Sequence, residues 1–321
     1  MKAAIINAFG EVPGYGDFSD PVATGSEETL VHIKASVLEN FDKLTVSGKH
    51  YSSLKLFPQF PAVPGTDGIG LTEDGQLVGF GAIRAPYGAF AERTVAGFTM
   101  PVPAGIDAVE AAAIPPSVLT SLLPLKYSAR LQPGETVLIN GATGVSGRIA
   151  VQVARLLGAG KVVGTGRNAR SLEIVKGLGA DAVIDLGLPD DLLTEAFLAS
   201  QGPNGYDVVV DFLWGHPAEV LIRSFIPSTV GFASRRIRYL AIGEKAGSQL
   251  SLPASALRTS GLELMGIGKV SHEELFSEMA RIWDWMKEGK FYMEIERVPL
   301  AEIASAWQRE ELAGKRLVVV P

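Results

Sequence analysis

The sequence predicts an α/β fold, with a doubly wound parallel sheet and a second unit that is rich in β-strands. Two observations support this prediction: short β-branched runs recur from residue 136 onward with helix-like segments between most of them, and turn signals crowd the earlier part of the chain. The six runs cover residues 136–140, 161–166, 181–185, 207–211, 238–242 and 262–267. Strands that alternate with helices at this spacing are typical of βαβ units whose sheet is covered on both faces.

The first part of the chain has a different pattern. Lys2–Asn7 and Leu30–Val37 are strand-like, Pro and Gly cluster in residues 57–70, and Asp74-Gly75-Gln76 predicts a hairpin turn. This part is therefore expected to form an irregular, β-rich unit.

Helical patterns border the predicted parallel sheet on both sides. Ser117–Ala129 predicts a helix before the turn at Pro133-Gly134, and apolar residues at three- and four-residue spacing predict another helix after Ile267. These apolar residues are Leu275, Met279, Ile282 and Met286. The last predicted strand, Arg316–Val320, is expected to return to the β-rich unit.

Composition narrows the class of protein. With 321 residues, 47% of them hydrophobic and 20% charged, the chain can bury a sizeable core, and its length suggests two domains. The net charge of −6 and the lack of a basic patch argue against a nucleic-acid partner.

We find no apolar stretch of about 18 residues and no secretory leader, so no membrane partner and a cytoplasmic location are expected. The chain has no cysteine, which excludes disulfides, a thiolate nucleophile and cysteine-ligated zinc.

The most informative segment runs from residue 136 to residue 167. A predicted strand leads into the turn Gly141–Gly147, and a helix-periodic segment follows before a second strand that ends at Gly166-Arg167. The turn has the pattern A-x-G-x-x-G, whose small residues let backbone N–H groups and a helix N-terminus approach a pyrophosphate. Arg167 lies about 20 positions beyond the last glycine, where a specificity residue is expected. The segment predicts a nucleotide site, and the alternative is a tight turn that needs glycine for steric reasons alone.

In that site the pyrophosphate is expected to contact the residues of the turn and the first turn of the helix. These residues are Ala142, Thr143, Gly144, Val145 and Ser146.

Several further motifs follow one another along nearly the whole chain. They are Met1-Lys2-Ala3-Ala4, Pro64-Gly65-Thr66-Asp67-Gly68, Tyr87-Gly88-Ala89-Phe90-Ala91-Glu92, Ala111-Ala112-Ala113-Ile114-Pro115, Leu131-Gln132-Pro133-Gly134-Glu135, Leu178-Gly179-Ala180-Asp181 and Gly314-Lys315-Arg316-Leu317 with the strand after it. In this order, together with the glycine turn, they resemble the medium-chain dehydrogenase/reductase superfamily, and within it the zinc-independent quinone oxidoreductase branch.

The resemblance implies an architecture. It predicts a GroES-like, irregular β-barrel unit from residues 1–117 and 269–321, and a Rossmann unit from residues 118–268, with the substrate bound between them. The nicotinamide half of a dinucleotide is expected against Thr120 and against the ends of later strands. Those strand-end residues are Leu213, Ile242, Gly243, Gly266 and Ile267. A predicted edge strand at Gln249–Leu252 and the strand at Leu262–Ile267 are similar to the region through which relatives dimerise, so a homodimer is expected.

The residues after the second strand predict which dinucleotide binds. NAD-specific sites usually have an acidic residue there, whereas this chain has Gly166-Arg167-Asn168. Glycine would leave room for a 2′-phosphate, and Arg167 could pair with it. NADP(H) is therefore the predicted cofactor, with Arg170 as a possible second cation. The resemblance also implies a tyrosine after the third strand, but this chain has Asp185-Leu186 there.

No metal is predicted. Zinc-containing relatives hold the metal with a cysteine near the position of Glu39 and a histidine in a turn that reads Gly65-Thr66-Asp67 here. The four histidines, His32, His50, His216 and His272, show no ligand spacing.

Without these groups the chain suits an acceptor that is already electron-poor. A quinone or an α,β-unsaturated carbonyl can take hydride directly from NADPH. Tyr51 and Tyr87 are candidate hydrogen-bond or proton donors to the developing oxyanion, and the alternative is that both are packing or rim residues. Two other functions stay open: an enone reductase with incidental quinone activity, and a protein that binds NADPH with little turnover.

Overall fold

The computed structural model describes residues 1–228, 231, 235–268, 270–309, 312 and 314–321. These residues form two compact units, one from Met1–Pro115 with Glu294–Pro321 and the other from Pro116–Met293. The first is the β-rich unit and the second is the Rossmann unit.

The strands and helices are numbered in chain order. The strands are β1 (Lys2–Ile5), β2 (Gly14–Asp17), β3 (Thr29–Leu38), β4 (Gly68–Thr72), β5 (Leu77–Ile83), β6 (Arg93–Pro101), β7 (Thr136–Asn140), β8 (Lys161–Gly166), β9 (Ala182–Asp185), β10 (Val208–Asp211), β11 (Ile237–Ala241), β12 (Leu262–Met265), β13 (Ile295–Pro299) and β14 (Arg316–Val320). The helices are α1 (Asn40–Val46), α2 (Ser53–Leu56), α3 (Ala108–Leu123), α4 (Val145–Leu156), α5 (Ala169–Gly177), α6 (Asp190–Ala199), α7 (Gly215–Ser224), α8 (Ala254–Thr259), α9 (His272–Lys287) and α10 (Ile303–Gln308). A π-helix at Pro124–Ser128 follows α3, and a 3₁₀-helix at Leu300–Glu302 precedes α10.

The Rossmann unit has a six-stranded sheet in the order β12-β11-β10-β7-β8-β9. Every neighbouring pair in it is parallel. Its central strands are buried along their whole length, and aromatic residues such as Phe197, Tyr206 and Tyr239 complete the core. All six predicted strands are present, so the predicted fold class is confirmed.

The β-rich unit contains a second six-stranded sheet in the order β13-β14-β3-β4-β5-β6, and β3 also pairs with β6. This extra pairing closes strands β3 to β6 into an irregular barrel. The predicted hairpin turn lies between β4 and β5, where Gly75 has φ +83° and its N–H donates to the Thr72 carbonyl over 2.9 Å. β1 and β2 form a separate antiparallel pair.

The boundary after the Rossmann unit differs from the predicted one at residues 268/269. Residues up to Met293 belong to the Rossmann unit because α9 is bonded to it by polar side chains. The buried Glu278 carboxylate accepts hydrogen bonds from Lys126 and from the Tyr127 hydroxyl, and the Tyr292 N–H donates to Gln152 Oε1 over 2.8 Å. The first boundary lies at residue 115, two residues before the predicted one.

Two local expectations need correction. Gln249–Leu252 is not a strand: the Ser251 N–H donates to the Glu219 carboxylate over 2.7 Å, and Leu250 and Leu252 pack on the core of the Rossmann unit. The apolar segment Ala108–Ser128 is long and apolar enough to pass as a membrane span, although none was expected. This is weak evidence for a span, because core helices pass the same test and 67% of its most apolar window is buried inside the protein.

Candidate functional site

The residues predicted to bind a dinucleotide follow the carboxyl ends of neighbouring parallel strands. The glycine turn follows β7, Gly166 ends β8, and Leu213 and Gly243 follow β10 and β11. Because these strands are parallel and adjacent, their ends form one edge of the sheet, the edge at which open α/β sheets bind ligands.

Glycines in the turn have two different roles. A Cβ at Gly147 would lie 2.2 Å from the Gly141 carbonyl oxygen and 2.7 Å from the Ala142 Cα, so the start of α4 can pack on the turn only with glycine there. A Cβ at Gly144 would meet nothing closer than 3.8 Å. Packing therefore requires Gly147, whereas nothing in the fold requires Gly144.

Helix α4 begins directly at this open glycine. Gly144 is its N-cap residue, and no side chain caps the helix. The first N–H groups of an α-helix have no partner within the helix, and the helix dipole makes this end favourable for an anion. Gly144 is exposed, and Val145 and Ser146 are half-buried. The turn thus presents a cradle for an anion such as a pyrophosphate.

Gly166 lies against the glycine turn, a contact that the sequence did not show. A Cβ there would lie 2.2 Å from Thr143 Cγ2 and 2.8 Å from Thr143 Oγ1. The end of β8 is thereby fixed against the glycine turn, which is also held by the Ala142 N–H donating to the Thr165 carbonyl over 2.8 Å. A Cβ at position 166 would fit only if the Thr143 side chain shifted, whether or not a phosphate binds nearby.

The side chains after β8 are basic and exposed. Arg167 and Arg170 both face solvent, and Asn168 caps α5 by accepting a hydrogen bond from the Ser171 N–H over 2.9 Å. Asn168 therefore has a structural role in addition to the predicted one. Arg167 stands where NAD-specific sites have a carboxylate.

Four polar side chains at this edge form a buried network that the sequence analysis did not identify. The Thr165 hydroxyl donates to Asn140 Oδ1 over 2.7 Å, and Asn140 Nδ2 donates to Asp211 Oδ1 over 2.9 Å. The Tyr239 hydroxyl donates to Asp211 Oδ2 over 2.6 Å. Burial raises the pKa of Asp211, and burial together with the Asp211 charge raises the pKa of Tyr239. A signal was available for three of them, since Asn140, Thr165 and Asp211 lie at or next to the ends of apolar strands.

The other predicted strand-end residues lie near the same edge. Ile242 and Gly243 are half-buried, and both donate through their N–H groups to the Asp211 carbonyl, over 2.8 and 3.1 Å. Gly266 and Ile267 are exposed after β12. Thr120 lies on α3, where its hydroxyl donates to the Ser117 carbonyl over 2.8 Å.

The two candidate tyrosines belong to the β-rich unit. Tyr51 is 94% exposed and its ring lies 4.1 Å from the His50 ring, measured between centroids. Tyr87 is half-buried, packs edge-on against Phe18, and donates its hydroxyl to the Asp20 carbonyl over 3.2 Å.

The positions at which relatives hold zinc contain a different arrangement in this chain. The Glu39 carboxylate pairs with the buried Arg316 guanidinium over 2.8 Å. Desolvation and the negative charge of Glu39 raise the pKa of Asp67 to about 6. A guanidinium already neutralises Glu39, and Thr66 stands at the histidine position, so these donors do not fit a zinc ion. Across the described residues, no group of three or more His, Cys, Asp or Glu side chains could hold a metal.

Comparison with known proteins agrees with this fold. The family model for zinc-binding dehydrogenases matches residues 146–223. The chain is 31% identical to the probable NADPH-dependent quinone reductase tdiC of Emericella nidulans, over 59% of this chain and 54% of that protein, so it spans about half the length of that relative. It is 33% identical to the chloroplastic quinone-oxidoreductase homolog of Spinacia oleracea, over 68% of this chain and 71% of that protein.

A solved structure matches along the full chain. The quinone oxidoreductase of Escherichia coli, solved in complex with NADPH, has a TM-score of 0.84 at 22% identity, with 100% of both chains covered. At this identity the likeness shows the fold alone.

The fold defines a two-unit protein with a Rossmann unit and a β-rich unit. The chain belongs to the medium-chain dehydrogenase/reductase superfamily, in its quinone oxidoreductase-like branch.

Proposed function

We propose that the protein is an NADPH-dependent reductase that transfers hydride, without a metal, to a quinone or another activated acceptor. The observation that carries the proposal is the pairing of the open Gly144 at the uncapped start of α4 with the exposed Arg167 after the neighbouring strand. The first fits a pyrophosphate and the second fits a 2′-phosphate. Relatives named as quinone reductases or quinone oxidoreductases support the acceptor class.

The residues of the turn and Arg167 would hold NADPH, which when bound supplies the hydride. The chain itself orients the cofactor through the backbone of residues 142–146 and through the loops after β10 and β11. Because Glu39 and Thr66 do not suit a zinc ion, we expect no Lewis acid there to activate a simple ketone. An electron-poor quinone or enone needs less activation.

A hydroxyl donor would stabilise the oxyanion that forms on the acceptor. Tyr51 is our first candidate because its ring is exposed, while the Tyr87 hydroxyl already donates to a backbone carbonyl. Replacing Tyr51 with Phe should lower kcat while the Kd for NADPH stays unchanged. An unchanged kcat with every accepted substrate would remove Tyr51 from the mechanism.

The experiment that tests the function uses purified protein, NADPH and a panel of quinones and enones. We expect loss of the absorbance of reduced nicotinamide with quinones. Faster turnover of enones than of any quinone would identify an enone reductase. Tight NADPH binding with no turnover would favour a binding protein, and no NADPH binding would overturn the proposal.

Cofactor preference is tested by replacing Arg167 with Ala. The KM for NADPH should rise about tenfold or more while the KM for NADH changes little, because one charge-assisted pair to phosphate contributes roughly 1.5–3 kcal/mol. Lys176 provides a control, since it is a cation on α5 that already pairs with Glu173. Lys176→Ala should change neither KM, and equal small effects of Arg167→Ala on both cofactors would contradict the assignment.

We also propose that the protein is a homodimer that pairs through the free edge of the Rossmann sheet. β12 is the edge strand, and Leu257, Leu264 and Ile267 on or near it are exposed apolar residues. Light scattering should give twice the chain mass of 34.0 kDa. Leu264→Lys should shift this mass to that of the monomer, and a wild-type mass near 34.0 kDa would refute the dimer.

A further inference from the structure

The loop that follows β10 is held in a strained conformation. Trp214 has φ +56° and ψ −161°, a region that bulky residues avoid and that costs about 1–3 kcal/mol. Gly215, which follows it, has φ +59°, and a Cβ there would lie 2.8 Å from the Ala246 carbonyl oxygen. Such strain persists only where the surrounding contacts hold the backbone in place.

The contacts that hold this loop converge on the Asp211 carboxylate. The Leu213 N–H donates to Asp211 Oδ1 over 2.8 Å, and the Trp214 N–H donates to both carboxylate oxygens, over 3.2 and 3.3 Å. Asn140 and Tyr239 donate to the same carboxylate, which is fully buried. Each of these partners is a donor, so the ionised form of Asp211 satisfies them all.

The same loop lies directly against the glycine turn. A Cβ at Gly141 would lie 2.9 Å from Leu213 Cγ, and the Gly141 N–H donates to Thr165 Oγ1 over 3.0 Å within the buried network. A Cβ at Gly243 would lie 2.7 Å from the Phe212 carbonyl oxygen, so the loop after β11 is packed on it as well. One carboxylate therefore holds the loop against which two adjacent loops pack at this edge of the sheet.

We propose that Asp211 is a positioning residue for the cofactor: its charge holds Leu213 and Trp214 so that their loop is ready to receive the nicotinamide half of NADPH. This inference rests on the proposed NADPH-dependent function and extends it to a residue that does not touch the ligand. The proposed site for the adenosine end follows β8 and involves other groups, so Asp211 should affect the two halves of the cofactor differently.

Asp211→Asn tests the proposal with little change in shape. Its amide oxygen can still accept from Asn140 and Leu213, but its NH₂ group faces the Tyr239 hydroxyl and the second bond from Trp214 is lost. A neutral acceptor also binds N–H groups more weakly than a carboxylate. We expect the amides of Leu213 and Trp214 to exchange with solvent deuterium at least tenfold faster in the protein without cofactor.

The same variant should bind NADPH about tenfold more weakly, while its Kd for adenosine 2′,5′-bisphosphate changes less than twofold. Asp207 provides a matched control at the opposite end of the same strand, where its carboxylate accepts from the Thr136 N–H over 2.8 Å and from Arg235 over 3.0 Å. Asp207→Asn should lower the Tm but leave both Kd values and the exchange of Leu213 unchanged.

The outcomes separate the two proposals. Wild-type protein that does not bind NADPH would refute the proposed function. Wild-type binding with an unchanged NADPH affinity in Asp211→Asn, or an equal loss of affinity for both ligands, would refute the positioning role. If Asp211→Asn does not fold, hydrogen–deuterium exchange in the wild-type protein tests the proposal instead. Amides of Leu213 and Trp214 that exchange as fast as amides without a hydrogen bond would overturn it, and protected amides would support it.

Discussion

The two glycines of the nucleotide turn should respond oppositely to the same substitution. Gly147→Ala places a methyl group 2.2 Å from the Gly141 carbonyl oxygen, and both Gly141 and Ala142 contribute backbone atoms to the clash. Gly144→Ala places the same methyl group in open space, with its nearest neighbour 3.8 Å away. Gly144 has φ −75°, which alanine adopts without strain.

The magnitudes follow from these distances. A backbone clash cannot be relieved by a side-chain rotation, so Gly147→Ala should cost about 1–3 kcal/mol of folding free energy. For a unit of this size that lowers the Tm by roughly 2–12 °C. At Gly144 the lost preference for glycine at an N-cap is offset by the lower entropy of the unfolded alanine chain, so the change should stay within about 0.5 kcal/mol.

Gly144→Ala should weaken NADPH binding although it leaves the stability of the fold nearly unchanged. Its methyl group would occupy the space through which a pyrophosphate approaches the start of α4, so the Kd for NADPH should rise at least tenfold at an unchanged Tm. The assay combines thermal denaturation with NADPH titration for the wild type and the two variants. Equal Tm losses in both variants, or unchanged NADPH affinity in Gly144→Ala, would refute the division into a packing glycine and a ligand glycine.

Two further predictions concern carboxylates, one buried and one exposed. Glu278→Gln removes the charge that pairs with Lys126 while keeping the shape of the side chain, and we expect urea denaturation to show a loss of about 1–3 kcal/mol; less than about 0.5 kcal/mol would contradict a structural role. The pKa of Asp67 is raised from its ordinary value of 3.8 to about 6, so ionisation disfavours the folded state and stability should fall as the pH rises from the first value to the second. Asp67→Asn should therefore raise the Tm more at pH 8 than at pH 5, by an amount that solvent screening keeps below about 1 kcal/mol because the residue is exposed; an equal gain at both pH values would contradict this.

The sequence predicted the parallel sheet well because a buried strand has a simple signature. Runs such as Val208–Asp211 are apolar on both faces, and they recur at the spacing that a crossover helix requires. The prediction of an edge strand at Gln249–Leu252 was wrong, because apolar residues next to a sheet can pack on the sheet without pairing with it. Leu250 and Leu252 reach the core while Ser251 bonds to a side chain.

The end of the Rossmann unit was harder to predict for a related reason. The pattern of α9 shows an apolar face but not the surface that this face covers. The assignment of α9 to the Rossmann unit depends on Glu278, a buried charge whose partner Lys126 lies 152 positions away in the chain. Sequence periodicity carries no information about such a pair.

Within the site, the structure adds a second explanation for one predicted glycine. Gly166 is expected to leave room for a phosphate, and it also lies against the Thr143 side chain, which would have to shift if position 166 had a Cβ. The prediction of NADP therefore depends more on Arg167 than on Gly166. Distances from each glycine to its neighbours in the folded structure are needed to distinguish a glycine that packing requires from one that leaves room for a ligand.

The cofactor is more predictable than the acceptor because different parts of the chain determine them. The dinucleotide edge depends on strand order, backbone N–H groups and glycines, and parallel pairing brings Asn140, Thr165 and Asp211 together although they lie far apart in the chain. We expect the acceptor to be recognised by side chains on loops, and the candidate Tyr51 is 94% exposed and lies in a turn before the short helix α2 rather than on the sheet. One substitution on such a loop can change the acceptor without altering any strand, so the topology that predicts the hydride donor leaves the acceptor to experiment.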